Sequence, residues 1–169
     1  MASIKYGCLD PSPKTQEYPV AATQYFYHEG VNAVMLDTNG RLRLMLTADE
    51  TIFGIAIAPK GRGAGSSDLY WLSSATAGVD KIPVILAKDR YSFLLPADDT
   101  VTAAMKGNAC DVIAVNDGTA TTVDVGTGSQ DVFIIQDLGT NVSESASATD
   151  VVVKMNLVNI QTVPSDEAT

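Results

Sequence analysis

A mainly β fold is what this sequence predicts: a single β-barrel or β-sandwich-like (β-tulip-like) domain with an extended N-terminal arm and little helix. Three observations predict it. Apolar residues fall in short runs rich in Val, Ile and Leu, several of them alternating with polar residues. Asp37-Thr38-Asn39-Gly40 and Asn116-Asp117-Gly118 supply the residues that tight hairpin turns need. A chain of 169 residues, 46% hydrophobic and only 18% charged, has enough apolar material for one buried core.

The N-terminal stretch, residues 1–27, differs in character from the rest of the chain. Pro11, Pro13 and Pro19 break any period and favour extended backbone. The stretch ends on three adjacent aromatics, Tyr25, Phe26 and Tyr27. Two courses are open to such an arm: reaching a neighbouring subunit, or packing across its own domain.

Residues 28–163 carry the β-rich domain. Val31–Leu36 and Arg41–Leu46 flank the first turn, with Leu42, Leu44 and Leu46 on one face and the arginines on the other. Ile52–Ala58 is almost wholly apolar, which predicts a strand covered on both faces. The Gly-rich run from Lys60 to Ser67 opens a flexible insertion, residues 61–80, that also holds the apolar patch Leu69–Leu72. Strands resume at Ile82–Ala87 and Tyr91–Leu95. Asp98-Asp99-Thr100 can cap a short helix through Met105 closed by Gly107, with a strand as the competing course. Cys110–Val115 and Thr119–Val125 make a second hairpin, and Asp131–Gln136 a further strand. Asn141–Ala148 is a polar link. The run from Asp150 to Val163 reads as a long final strand, and its shift of parity between Leu157 and Val158 predicts a β-bulge or burial on both faces. Residues 164–169 form an acidic tail.

Charge narrows the function. Twenty acidic residues against eleven basic ones give a net charge of −9. Nucleic-acid binding draws on clustered Lys and Arg, whereas here the bases stand singly or in isolated pairs (Arg41/Arg43, Lys60/Arg62, Lys88/Arg90), so no nucleic-acid partner is expected. The same reasoning excludes anionic membranes, and no run is long and apolar enough to span a bilayer. The N-terminus lacks the apolar core of a signal peptide, so synthesis in a cytoplasm is expected. Cys8 and Cys110 lie too far apart in sequence for a paired motif and read as free thiols.

Catalytic chemistry finds little to work with. Any Ser-His-Asp or Cys-His arrangement must use His28, the only histidine, and the sequence has no G-x-S-x-G elbow. The Gly-rich loop lacks the G-K-[ST] ending of a phosphate loop. Neither Asp/Asn turn continues to the carboxylate that ends a calcium loop. Asp98 and Asp99 are adjacent, so on a strand they point to opposite faces. Tyr70 and Trp71 are the one platform suited to stacking a sugar, although Trp71 reads more simply as a core or interface anchor. No enzyme activity, cofactor or metal is expected.

With these strands placed, the chain resembles the head decoration (cement) proteins of tailed bacteriophages. The residues that carry the resemblance are the Pro-punctuated arm, Ile52–Ala58 with the Gly-rich loop after it, Val84–Phe93, Asp131–Asp137 and the closing Asp150–Gln161. The resemblance implies a homotrimer on the outer surface of the expanded capsid, in contact with the major capsid protein and stabilising the head against the pressure of packaged DNA. On that reading Tyr25, Phe26, Tyr27, Tyr70, Trp71 and Met155 are the subunit or capsid contacts. A phage tail or fibre component and a carbohydrate-binding β module are the alternatives.

Overall fold

The computed structural model describes residues 6–28, 30–47, 49–60, 69–113, 121–126, 131–139 and 147–161. The second turn, Asn116-Asp117-Gly118, most of the Gly-rich loop, most of the polar link and the acidic tail lie outside them. The protein is mainly β, and its helical turns among the described residues are all short 3₁₀ turns. The described residues form thirteen strands in chain order: β1 (Gly7–Cys8), β2 (Gln16–Pro19), β3 (Tyr25–Tyr27), β4 (Asn32–Leu36), β5 (Leu42–Leu44), β6 (Gly54–Ala56), β7 (Tyr70–Leu72), β8 (Lys81–Leu86), β9 (Ser92–Thr102), β10 (Ala109–Ile113), β11 (Thr122–Asp124), β12 (Phe133–Leu138) and β13 (Ser147–Met155).

Five of them close a barrel in the order β9-β11-β10-β12-β13, with β13 pairing back onto β9. Closure removes the exposed edges that an open sheet would present. Inward residues fill the interior, among them Phe93, Leu95, Val112, Phe133, Val153 and Met155, all buried. The strand β1 adds to the free side of β9, opposite Phe93 and Leu94.

The second sheet, β2-β8-β6-β4-β5, is curled. Its two outer strands meet where Val20, just past β2, bridges Leu42 of β5. Both of its faces are apolar. Ala33, Ile55 and Ile85 pack with the barrel core, while Val34, Ala56 and Val84 join a second core. That is the two-sided burial expected of Ile52–Ala58 as far as Ala56, beyond which Ile57 is exposed, and it explains why β6 shows no polar face. The strand comes so close to β8 that a Cβ on Gly54 would overlap the Ile85 carbonyl and the Val84 side chain. A two-stranded ribbon, β3–β7, covers the second core with Phe26 and Trp71.

The first predicted hairpin is present as β4–β5. Asp37 shapes its turn by accepting from the N–H groups of Asn39 (2.8 Å) and Arg41 (2.9 Å), with Gly40 at φ 72°. The strand stops at Leu44, so Leu46 is exposed and Met45 is buried in its place. Arg43 is not simply solvated: its guanidinium forms a two-pronged pair with Asp49, at 2.7 and 3.0 Å.

Three expectations are corrected. The helix anticipated at Asp98–Met105 gives way to its competing course: the segment is strand as far as Thr102, where β13 pairs with Val101 and Thr102 and, across a register shift, with Pro96, and only Ala103–Met105 turn as 3₁₀. The parity shift near Leu157 is neither a bulge nor two-sided burial. The strand ends at Met155, and Asn156 caps a 3₁₀ turn by accepting from the Val158 N–H at 3.2 Å, which leaves Leu157 and Val158 exposed. The register irregularities fall elsewhere, between Ile135 and Asp137 and between Ala148 and Asp150. Finally, the 61–80 insertion is not all loop, since β7 lies within it and pairs with β3.

Of the two courses open to the N-terminal stretch, residues 6–27 take the local one. They run as a strap across their own domain, through β1 on the barrel, β2 on the curled sheet and β3 on the ribbon. At its start the Tyr6 hydroxyl donates to the buried Asp150 carboxylate at 2.7 Å.

Two outcomes test this architecture. Gly54→Ala forces β6 and β8 apart and should lower the unfolding free energy by about 1–3 kcal/mol in urea titration; an unchanged midpoint would contradict the close approach. Burial, the hydrogen bond to Asp150 and the charge of Asp150 together raise the Tyr6 phenol from 10.0 to about 12. Folding therefore favours the protonated phenol. Its contribution is complete below pH 10 and is lost as pH climbs towards 12. Tyr6→Phe should lower stability at neutral pH by about 1 kcal/mol and flatten part of that alkaline loss.

Candidate interaction surface

The ribbon gathers five of the six residues singled out from sequence. Its register sets Tyr25 opposite Leu72, Phe26 opposite Trp71 and Tyr27 opposite Tyr70. Directly opposed residues share a face, so Phe26 and Trp71 form one side of the ribbon and the remaining four form the other. The inner pair is deeply buried, Phe26 at 0% and Trp71 at 2% exposure, with ring centroids 5.9 Å apart. On the outer side Tyr70 stands edge-on between Tyr25 (5.0 Å) and Tyr27 (6.2 Å). Tyr25 is exposed, Tyr70 and Leu72 are half-buried, and Tyr27 is covered.

Each ribbon strand is thus apolar on both faces. Neither Tyr25-Phe26-Tyr27 nor Tyr70-Trp71-Leu72 alternates with polar residues, and that lack of alternation was the sequence signal for a two-sided element. Met155 does not join them. Val151, Val153 and Met155 share the inward parity of β13, which places the Met155 side chain inside the barrel at 1% exposure. It serves the core and cannot reach a partner.

Leu69, at the head of the apolar patch read from sequence, and Val79, which sequence reasoning passed over, are exposed at 72% and 65%. Val79 lines a hollow of about 420 Å³ together with Leu72, Thr23, Ser73 and Ser74. The readable signal was an absence: no charged residue occurs in Leu69–Val79 or in Val20–Tyr27.

A second hollow, about 330 Å³, lies where the strap crosses the end of β6 and is lined by Cys8, Asp10, His28 and Lys60 among others. The Nδ1 atom of His28 is buried there without a hydrogen-bond partner. Burial raises the Cys8 thiol above its ordinary value, against the opposing backbone N–H of Asp10. A thiolate–imidazolium pair requires the opposite shift, so this hollow offers a protonated thiol. Cys110 is more strongly held, pushed up to about 12 by burial and by Asp111, Asp124, Asp131 and Asp98.

Asp98 and Asp99 are exposed on β9 and spend their carboxylates on backbone. Asp98 accepts from the Val125 N–H (3.0 Å), and Asp99 from that of Thr100 (2.6 Å). Among the described residues no three His, Cys, Asp or Glu side chains come together as a metal-binding group, and no helix is long and apolar enough to cross a membrane. Comparisons with protein-family models, with curated proteins and with solved structures return no match.

Trp71 is the chain's single tryptophan, so its burial is directly observable. Native fluorescence should be blue-shifted and shielded from iodide. Trp71→Ala should cost about 3–5 kcal/mol by emptying the second core. Red-shifted, readily quenched native emission would contradict the inward placement.

Proposed function

We propose that this chain is a structural virion protein that decorates the outer surface of a phage head and cements neighbouring major capsid proteins. The observation that carries the reading is the outer face of the β3–β7 ribbon, with Tyr25 exposed and Tyr70 and Leu72 half-buried, on a base-poor chain of net charge −9. An apolar patch of this kind marks a contact with other protein. The acidity suits a position outside the shell, away from packaged DNA. A closed barrel packed against a sheet buried on both sides gives a rigid body, and rigid bodies lose little entropy when clamped between capsomers. In this role affinity comes from buried area and from repeated attachment around a closed ring.

The carbohydrate-binding alternative needs Tyr70 and Trp71 open to a sugar. Trp71 faces the second core instead, and Tyr70 is half-buried, so no observation favours that reading over the first.

The decisive experiment mixes the purified chain with expanded, undecorated phage heads and follows co-sedimentation and head melting. Saturable binding that raises the head melting temperature is the expected result. Failure to bind heads of the phage whose genome encodes the chain would overturn the proposal.

A further inference from the structure

Asn39-Gly40 is the chain's only Asn-Gly pair, and it lies in the β4–β5 turn with Asn39 exposed. Such a pair can react with itself. The Gly40 nitrogen attacks Cγ of Asn39, and the N–Cγ bond forms as the Gly40 amide proton leaves. The Cγ–Nδ2 bond breaks, and Nδ2 departs with a proton as ammonia. Water then opens the five-membered imide at either carbonyl. One opening restores the normal backbone with aspartate at position 39. The other leaves isoaspartate, which adds a methylene to the main chain. A side chain on the following residue hinders the attack, and glycine has none. Glycine is required here, because position 40 holds φ 72°.

The closed turn opposes this reaction. The Gly40 N–H donates to the Asp37 carbonyl at 3.0 Å, which keeps the attacking nitrogen engaged and protonated. The Asp37 carboxylate accepts on either side of it, from the N–H groups of Asn39 (2.8 Å) and Arg41 (2.9 Å). The Asp37 N–H closes the hairpin by donating to the Arg41 carbonyl at 2.8 Å. Hydrogen bonds to a carboxylate are the stronger kind, so this side chain holds the turn shut. Asn32 is the contrast. It is buried in β4, and its carboxamide bonds both the N–H and the carbonyl of Tyr27.

We propose that Asn39 is a site of spontaneous modification, converted to aspartate and isoaspartate through a cyclic imide, and that the Asp37 carboxylate sets the rate by holding the turn closed. Either product adds a negative charge beside Asp37. Isoaspartate also lengthens the connection between two strands whose register is fixed. The effect reaches beyond the hairpin, because the curled sheet closes through β5. Leu42 bridges Val20 there and accepts from the Ala21 N–H at 2.9 Å. The inference stands independently of the capsid reading.

The test stores the full chain in mildly alkaline, ammonia-free buffer for weeks, then maps tryptic peptides by mass spectrometry with chromatographic separation of the isoaspartyl form. Asn32 and Asn39 fall in one peptide, Thr15–Arg41, so fragmentation compares them directly. Conversion is expected at Asn39 and not at Asn32. It should run about tenfold slower in the folded chain than in guanidinium, and Asp37→Ala should recover most of that factor. Asp37→Asn keeps an acceptor oxygen and should retain the protection. Circular dichroism and melting verify that both variants fold. An unmodified Asn39 in the stored folded protein would overturn the inference. So would equal rates in folded and unfolded wild type, or a folded Asp37→Ala that converts no faster than wild type.

Discussion

Seven residue pairs run along the seam between β9 and β13, from Ser147 opposite Thr102 to Lys154 opposite Ser92. They turn an open sheet into a closed barrel, and the other interfaces are built on the result. The pairing fixes which side chains of both strands point inward, so Phe93, Leu95, Val151 and Val153 meet in one core. On its other side β9 receives β1 and then β11. Asp150, within the seam, accepts from Tyr6 and anchors the start of the strap. Opening the seam would release the barrel core and the N-terminal anchor together.

The curled sheet depends on that barrel. Its strands bury apolar side chains on both faces, which requires a partner layer on each side. The barrel supplies one and the ribbon the other. A side-chain amide pins the far end: Gln161 accepts from the Leu36 N–H (2.7 Å) and donates to the Leu36 carbonyl (3.0 Å). The residues after β13 thereby return to the curled sheet, where Ile160 bridges Ile52. Once both layers are filled, the ribbon's second apolar face is only partly covered, with Tyr27 buried, Tyr70 and Leu72 half-buried and Tyr25 exposed, and that surplus is what the functional reading rests on.

Local pattern explains what was legible in the sequence. The β4–β5 hairpin could be read because Asp37 and Gly40 determine the turn and leucine alternation determines the face. The covered strand β6 could be read because it offers no polar side. The length of β9 could not, because Ala97-Asp98-Asp99-Thr100 has no β signal of its own and is held extended between pairings to distant strands, Ala97 with Val123 of β11 and Val101 with Ala148 of β13. The end of β13 was obscured for the converse reason: apolar Leu157 and Val158 prolong its pattern past the point where Asn156 turns the chain. Of the residues proposed for interaction, the aromatics announced themselves by clustering. Val79 did not, because exposure depends on what the fold leaves uncovered, and the burial of Met155 depends on strand parity in the same way.

The barrel's seam also has a consequence for biosynthesis. On the ribosome β9 emerges well before β13, so its long edge waits unpaired while the intervening residues are made. An apolar strand edge held open among other chains invites wrong pairing. The exposed Asp98 and Asp99 midway along β9 put charge beside that waiting edge before they take up their backbone partners in the folded protein.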